Sequence, residues 1–340
     1  MDAGSPPTPV GFRPSLGLRN AAMQSTLASK RPVQRMWRRR GIELNRLSTA
    51  QVLDCRESAR LSGYLTPRRP DAPARGVAVL IHGWAGCHDS TYLYSMAARL
   101  HHDGYDVFRL NLRDHGGSHH LNRDMFHSAR MGEVLDAVQA ARRLAPEGPL
   151  FVIGFSLGGN FALRVALQGP AIGIDPALTI AISPSINPGA TLQAIDRGPR
   201  LIRWYFLDRW RRTLAIKREA WPHYDFSAYA GLDSFVAVTR RFVADFTEYP
   251  SCEDYLAQYT LTPRMLMDAP SPIAILSAAD DSVIPVGDFQ GLSVRGSVVG
   301  ADLTAYGGHC GFISDWRFSS WAESRVMHWL QPFAGAPSRN

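Results

Sequence analysis

The run Pro149-Leu150-Phe151-Val152-Ile153 leads straight into Gly154-Phe155-Ser156-Leu157-Gly158-Gly159. An apolar strand, then G-x-S-x-G, then a helical pattern from Asn160 to Leu167 is a demanding sequence of events for a chain. It describes a turn so tight that the residues flanking the serine must be minimal, with the serine hydroxyl lifted above the end of a buried strand. The motif by itself also fits an ordinary helix entry with Ser156 as N-cap. The buried strand before it and the helix after it favour the strained turn, and Gly154 and Gly158 are its spacing residues.

The rest of the chain supplies the setting such a turn needs. Gly76 to Ile81, Ala177 to Ile182 and Pro272 to Leu276 are apolar or nearly so, and Tyr105 to Asn111 and a short stretch from Ala301 to Tyr306 are further strands. Helical patterns over Thr91 to His102, Ala129 to Leu144 and Trp316 to Leu330 alternate with them. Strands that are apolar on both faces, interleaved with helices, predict an α/β fold with a mostly parallel central sheet flanked by helices. A β-rich stretch near Ala50 to Tyr64 precedes this series, and a basic helical segment over Leu16 to Arg40 precedes that. The stretch from Ile186 to Met267 is too long for a bare connection. The expected organisation is therefore a core of residues 15–185 and 268–332 with a helical cap at 186–267, a Pro/Gly/Ser-rich disordered tail at 1–14, and a short tail at 333–340. Inside the cap, Leu201 to Arg212 mixes aromatics with arginines. It reads as a helix packed on the core with its arginines in water, or as a lid that lines an acyl pocket or touches lipid.

The formal net charge of +7 raises the question of a nucleic-acid partner. The excess is local, in Arg31 to Arg40 and Arg197 to Arg212, and no nucleic-acid-binding motif accompanies it. Surface solubility, or attraction of these basic segments to an acidic membrane face, explains the charge at least as well, so no nucleic acid is expected. Cys55, Cys87, Cys252 and Cys310 are scattered, which suits a reducing cytoplasm. No apolar leader or membrane span is visible. His115, His119, His120 and His127 match no common zinc spacing and read as a solvated loop, so no metal is expected.

A serine hydroxyl is a weak nucleophile that needs a base in contact and a carboxylate to orient that base. Downstream of Ser156 the end of a buried strand carries Asp280-Asp281-Ser282-Val283-Ile284-Pro285. Asp281 is the preferred acid and Asp280 the alternative, whose other role is that of a turn residue. Tyr306-Gly307-Gly308-His309-Cys310-Gly311-Phe312 then places His309 on a glycine-rich loop after the next strand, where a base belongs. Two backbone amides must hold the oxyanion of a tetrahedral intermediate. Leu157, next to the nucleophile, is one. Trp84, in His82-Gly83-Trp84-Ala85-Gly86 after the Gly76–Ile81 strand, is the other. His82 and Gly83 keep that loop tight. Such chemistry calls for no cofactor.

With Ser156, Asp281, His309 and His82-Gly83 in this order, the chain resembles an α/β-hydrolase. Ser156-Leu157-Gly158-Gly159-Asn160, the loop from Gly307 to Phe312, His82 to Gly86 with Ser90-Thr91-Tyr92-Leu93, and Leu18-Arg19-Asn20 with Gln24-Ser25-Thr26 are similar to the YheT-like branch of that superfamily. The resemblance spans roughly residues 12–332. It implies an esterase acting on small or lipid-like acyl esters. Thioesterase, lipase or acyltransferase activity on the same groups is the alternative, and a non-catalytic scaffold is the alternative of another class. Asn111-Leu112-Arg113-Asp114-His115-Gly116-Gly117-Ser118 departs from the branch, joining its Asn-x-Arg opening to the His-Gly-x-Ser ending of other hydrolases.

Overall fold

The computed structural model describes residues 11–28 and 42–333. Eight strands form one sheet: β1 (Thr49–Asp54), β2 (Arg60–Thr66), β3 (Val77–Ile81), β4 (Asp106–Asn111), β5 (Leu150–Phe155), β6 (Leu178–Ile182), β7 (Ile273–Ala278) and β8 (Val298–Thr304). Their order across the sheet is β1-β2-β4-β3-β5-β6-β7-β8. β1 and β2 pair antiparallel at one edge, and β2 runs antiparallel to β4. From β4 to β8 every pairing is parallel. This is the α/β architecture expected from the sequence.

The helices are α1 (Ala21–Leu27), α2 (Ile42–Leu47), α3 (Thr91–His102), α4 (Met131–Leu144), α5 (Leu157–Gln168), α6 (Pro188–Arg197), α7 (Arg200–Ala220), α8 (Phe235–Phe246), α9 (Cys252–Ala257), α10 (Pro263–Met267) and α11 (Trp321–Leu330). Strand residues alternate between two covered faces, which is why the strands are apolar throughout. Ala78, Leu80, Phe151 and Ile153 pack with α3 and α11, through Leu93, Met96, Val326 and Leu330. Val77, Val79, Ile81 and Val152 pack on the other face with α4 and α5, through Val134, Val138, Phe161 and Val165.

Chain order places the site. From β3 the chain adds β4 on one side and then crosses to add β5 on the other, so β3 and β5 flank the point where the winding reverses. In parallel α/β sheets that is where a crevice opens above the strand ends. Register sets Ile81 beside Gly154, so the loop after β3 and the serine turn after β5 emerge together.

Three boundaries differ from expectation. Phe12, assigned to the tail, is buried and stacks on Trp321 at 4.9 Å. The helix expected over 16–40 is α1 among the described residues. Gly17 turns the chain at φ 87°, and the Asn20 side chain caps the Met23 amide at 3.0 Å. The arginine run 31–40 lies outside the described residues, as does the tail beyond Phe333. The last helix begins at Trp321 rather than Trp316, because Ser320 pairs with Ile313 in a bridge and caps the Glu323 amide.

Between β6 and β7 the chain forms α6 to α10. Asn187, Ser234, Ser251 and Thr262 each accept a hydrogen bond from the amide three residues on, which starts α6, α8, α9 and α10. One polar contact ties this region down from below. Lys217 of α7 donates to Asp114 Oδ1 at 2.8 Å and to the Asn122 and Asp124 carbonyls at 2.8 and 3.1 Å. The two side chains are 0% and 1% exposed. Burial pulls the lysine pKa down and the aspartate pKa up, and each charge partly offsets the shift of the other. Removing one partner strands a buried charge. Lys217→Met should therefore lower unfolding stability in urea by about 3 kcal/mol, and Lys217→Met with Asp114→Leu by clearly less. Equal losses for the single and double variants would show that the pair is not the anchor.

Candidate active site

Ser156 occupies the turn between β5 and α5 with φ 54°, a backbone conformation that a non-glycine residue holds only when its surroundings impose it. The surroundings do impose it. A Cβ on Gly154 would lie 2.0 Å from the Gly158 carbonyl oxygen, and one on Gly158 would lie 2.3 Å from that of Ile81. Gly83 abuts the serine: a Cβ there would lie 3.1 Å from the Ser156 Cβ. The Ser156 side chain makes no capping bond to α5. Its Oγ instead stands 2.9 Å from His309 Nε2.

The His309 ring continues to Asp281, whose Oδ2 is 2.9 Å from Nδ1. Asp281 is held in turn, because its Oδ1 accepts the Val283 and Ile284 amides at 2.8 and 3.0 Å. Asp280 instead accepts the amide of Gly308, 28 residues on, at 2.8 Å, so it braces the histidine loop rather than its own turn. Burial disfavours a charged imidazole, but the adjoining Asp281 carboxylate outweighs that and holds the His309 pKa well above the usual histidine value.

The loop after β3 is braced by groups on several segments. His82 Nε2 accepts the Leu112 amide at 3.1 Å, which leaves Nδ1–H to donate to the Gly83 carbonyl at 2.7 Å. The fully buried ring has a pKa well below the usual value and stays neutral. The Gly83 amide donates to Tyr92 Oη at 2.9 Å and the Ala85 amide to His115 Nε2 at 3.2 Å. Trp84, between them, has no intramolecular acceptor for its amide among the described residues. Leu157 opens α5, where backbone amides lack helical partners. These are the two amides named from sequence, and both residues line the same pocket as Ser156.

His115, His119 and His127, expected in a solvated loop, are buried; His120 alone of the four is exposed. For His115 the reason is that both ring nitrogens are used. Nδ1–H donates to the Arg113 carbonyl at 2.6 Å while Nε2 takes the Ala85 amide. Burial pushes its pKa down to about 4, so it braces the loop as a neutral ring.

The pocket is open to solvent, and the free space in and in front of it is about 700 Å³. Its walls are mainly aromatic and aliphatic. Phe206 and Trp210 of α7 stack on Trp84 at 5.6 and 5.8 Å, and Phe235 of α8 meets the same ring edge-on at 5.2 Å.

The sequence did not reveal the role of α1. Gln24 is 0% exposed. Its side chain accepts the Ile313 amide at 2.7 Å and donates to the Ile313 and Leu18 carbonyls at 3.0 and 2.7 Å. Ser25 Oγ accepts the His309 amide itself at 2.8 Å. The histidine loop needs such a clamp, since Gly307, Gly308, Cys310 and Phe312 all have positive φ. Gly311 lets α1 close on it: a Cβ there would lie 2.8 Å from the Gln24 backbone. A lone Gln-Ser-Thr carries no sequence signal for this beyond the family resemblance.

Residues 77–265 match the family described as alpha/beta hydrolase fold. The chain belongs to that family. Among curated proteins of this kind, it is 29% identical over 273 residues to one named "Putative esterase YheT" in Escherichia coli strain K12, covering 76% of this chain and 78% of that protein. It is 23% identical over 267 residues to the human protein named phospholipase ABHD3, covering 76% of this chain and 64% of that one. The solved Pyrococcus furiosus esterase Pf2001 shares the fold with a TM-score of 0.56 at 16% identity, over 86% of this chain and 94% of its own. A bacterial membrane phospholipase A does so with a TM-score of 0.55 at 14% identity, over 93% and 94%.

Replacing Gln24 by Ala leaves the Ile313 amide and carbonyl buried without their partner, a loss of about 1–3 kcal/mol. Hydrogen exchange read peptide by peptide should then rise across residues 307–313 while β5 and β6 stay protected. Unchanged protection there would mean that α1 does not hold the loop.

Proposed function

We propose that this alpha/beta hydrolase cleaves carboxylic esters through an acyl-enzyme on Ser156. The observation that carries the reading is the unbroken relay from Asp281 through His309 to Ser156, with 2.9 Å at each contact. His309 Nε2 takes the hydroxyl proton as Ser156 Oγ attacks the ester carbonyl carbon. Asp281 orients the ring and stabilises its cation. The Leu157 and Trp84 amides receive the charge that develops on the former carbonyl oxygen, an interaction worth about 3 kcal/mol for each donor lost. The tetrahedral intermediate collapses, and the alcohol leaves with the proton held by His309. Water, deprotonated by the same ring, then attacks the acyl-enzyme, and the carboxylic acid and free Ser156 result.

The esterase and phospholipase names among the relatives agree with this chemistry. The pocket wall suits an apolar acyl or alcohol group, since Phe206, Trp210, Phe235 and Leu192 offer such a group contact and almost no hydrogen bonding. No helix among the described residues is long and apolar enough to cross a membrane. The substrate class we assign is a small or lipid-like acyl ester.

Turnover of nitrophenyl esters and matched thioesters of rising acyl length tests the reading. Ser156→Ala should lose about 10⁴-fold or more in kcat with the fold intact. The base must be neutral to act, so activity should climb with pH as His309 deprotonates, above the usual histidine range. Asp281→Asn removes the charge that raises this pKa, so the acid limb should move to lower pH while the plateau falls by about 10³-fold or more. An Asp281→Asn variant with an unmoved acid limb, or a Ser156→Ala variant of ordinary turnover, would contradict the assignment.

A further inference from the structure

The longest helix among the described residues, α7, has two faces with different company. Phe206, Leu207, Trp210, Leu214 and Lys217 point into the protein, toward the pocket and the Asp114 anchor. Its opposite face begins with Leu201, Trp204 and Tyr205, which are 72%, 57% and 43% exposed. At about 3.6 residues per turn these three share a side of the helix. Arg209, Arg211, Arg212 and Arg218 follow on or beside that exposed side together with Ile216 and Glu219; Asp208 is paired to Arg212 at 2.8 Å, and Arg211 donates to the Leu232 carbonyl at 3.1 Å. The Arg209 guanidinium lies over the Tyr205 ring at 5.3 Å from its centroid.

A helix that merely covers a core turns charge and small polar groups outward. This one turns out a leucine, a tryptophan and a tyrosine within two turns, then a stretch in which four arginines outnumber the carboxylates of Asp208 and Glu219. We propose that the outward face of α7 docks on an anionic phospholipid surface. Tryptophan and tyrosine, each an apolar ring with a polar tip, suit the boundary between headgroups and acyl chains, and leucine enters below it. The arginines complement lipid phosphates and gain from a negative surface potential. A second copy of the chain is a poorer occupant, because a two-fold contact of this face would set its arginines against one another. Docking brings α7 to the bilayer with the pocket wall of Phe206 and Trp210 on its reverse side. The proposal goes beyond the ester chemistry and does not need Ser156.

Flotation with two vesicle types reads it directly: phosphatidylcholine alone, and phosphatidylcholine with phosphatidylglycerol. The full chain should float with the anionic vesicles and far less with the neutral ones, and added salt should release it. Ser156→Ala should float like the parent whatever becomes of its hydrolysis, so this result and that of the ester assay separate. Leu201→Ser with Trp204→Ser, and separately Arg209→Gln with Arg211→Gln and Arg212→Gln, should each lower the partition coefficient about tenfold. Turnover of a soluble short-chain ester should stay at the parental level in both, which reports that they are folded. Binding that survives the α7 changes would place the contact elsewhere, on the basic run 31–40 for instance, and would overturn the proposal. So would a parent that ignores both vesicles, or one that self-associates through α7 on size exclusion instead.

Discussion

Everything at the site depends on a contact between two backbones. The first turn of α5 packs so closely beneath the end of β3 that the Gly158 position would place a Cβ 2.3 Å from the Ile81 carbonyl and 2.4 Å from that of His82. That approach holds Ser156 in its positive-φ turn and sets it against Gly83. It also settles where the two candidate oxyanion amides stand, one on each side of the contact. A side chain at Gly158 would separate the strand ends and, with them, the serine from the loop that faces it.

Two distant segments complete the arrangement, and each reaches the site through a specific bond. α1, near the start of the described chain, grips the loop of His309 through Gln24 and Ser25. The helices between β6 and β7 reach the other loop through Trp84, whose ring stacks on Phe206 and Trp210. Lys217 and Asp114 fix the far end of α7 in the interior. The loop of the histidine and the loop after β3 are thus each over-determined, as strained backbone requires. A pocket wall fixed at one end by a buried ion pair fits a helix that can meet a surface with its other side.

The parts of this legible in the sequence are those written in local pattern. Apolar strands covered on both faces announced a parallel sheet, and G-x-S-x-G after one of them placed Ser156. The glycines around His309 marked a loop rather than a core face. The choice between Asp280 and Asp281 could only be ranked, since adjacent residues at a strand end differ in direction alone. The turn that lets Asp281 Oδ1 take the Val283 and Ile284 amides sends it toward His309. Contacts between residues far apart left no trace. His115 reads as polar and solvated until the Arg113 carbonyl and Ala85 amide occupy both its nitrogens. Gln24 and Lys217 are the same kind of case: polar side chains buried because distant backbone groups satisfy them.

The central claim is that Ser156 Oγ is activated by His309. A fluorophosphonate reacts covalently with such a serine and spares ordinary hydroxyls, so labelling followed by mass mapping of the modified peptide measures that activation without any assumed substrate. The account predicts one adduct, on Ser156, that disappears in His309→Ala while Asp280→Asn still labels. A folded protein that takes up no probe, or takes it up on a different serine, would contradict it.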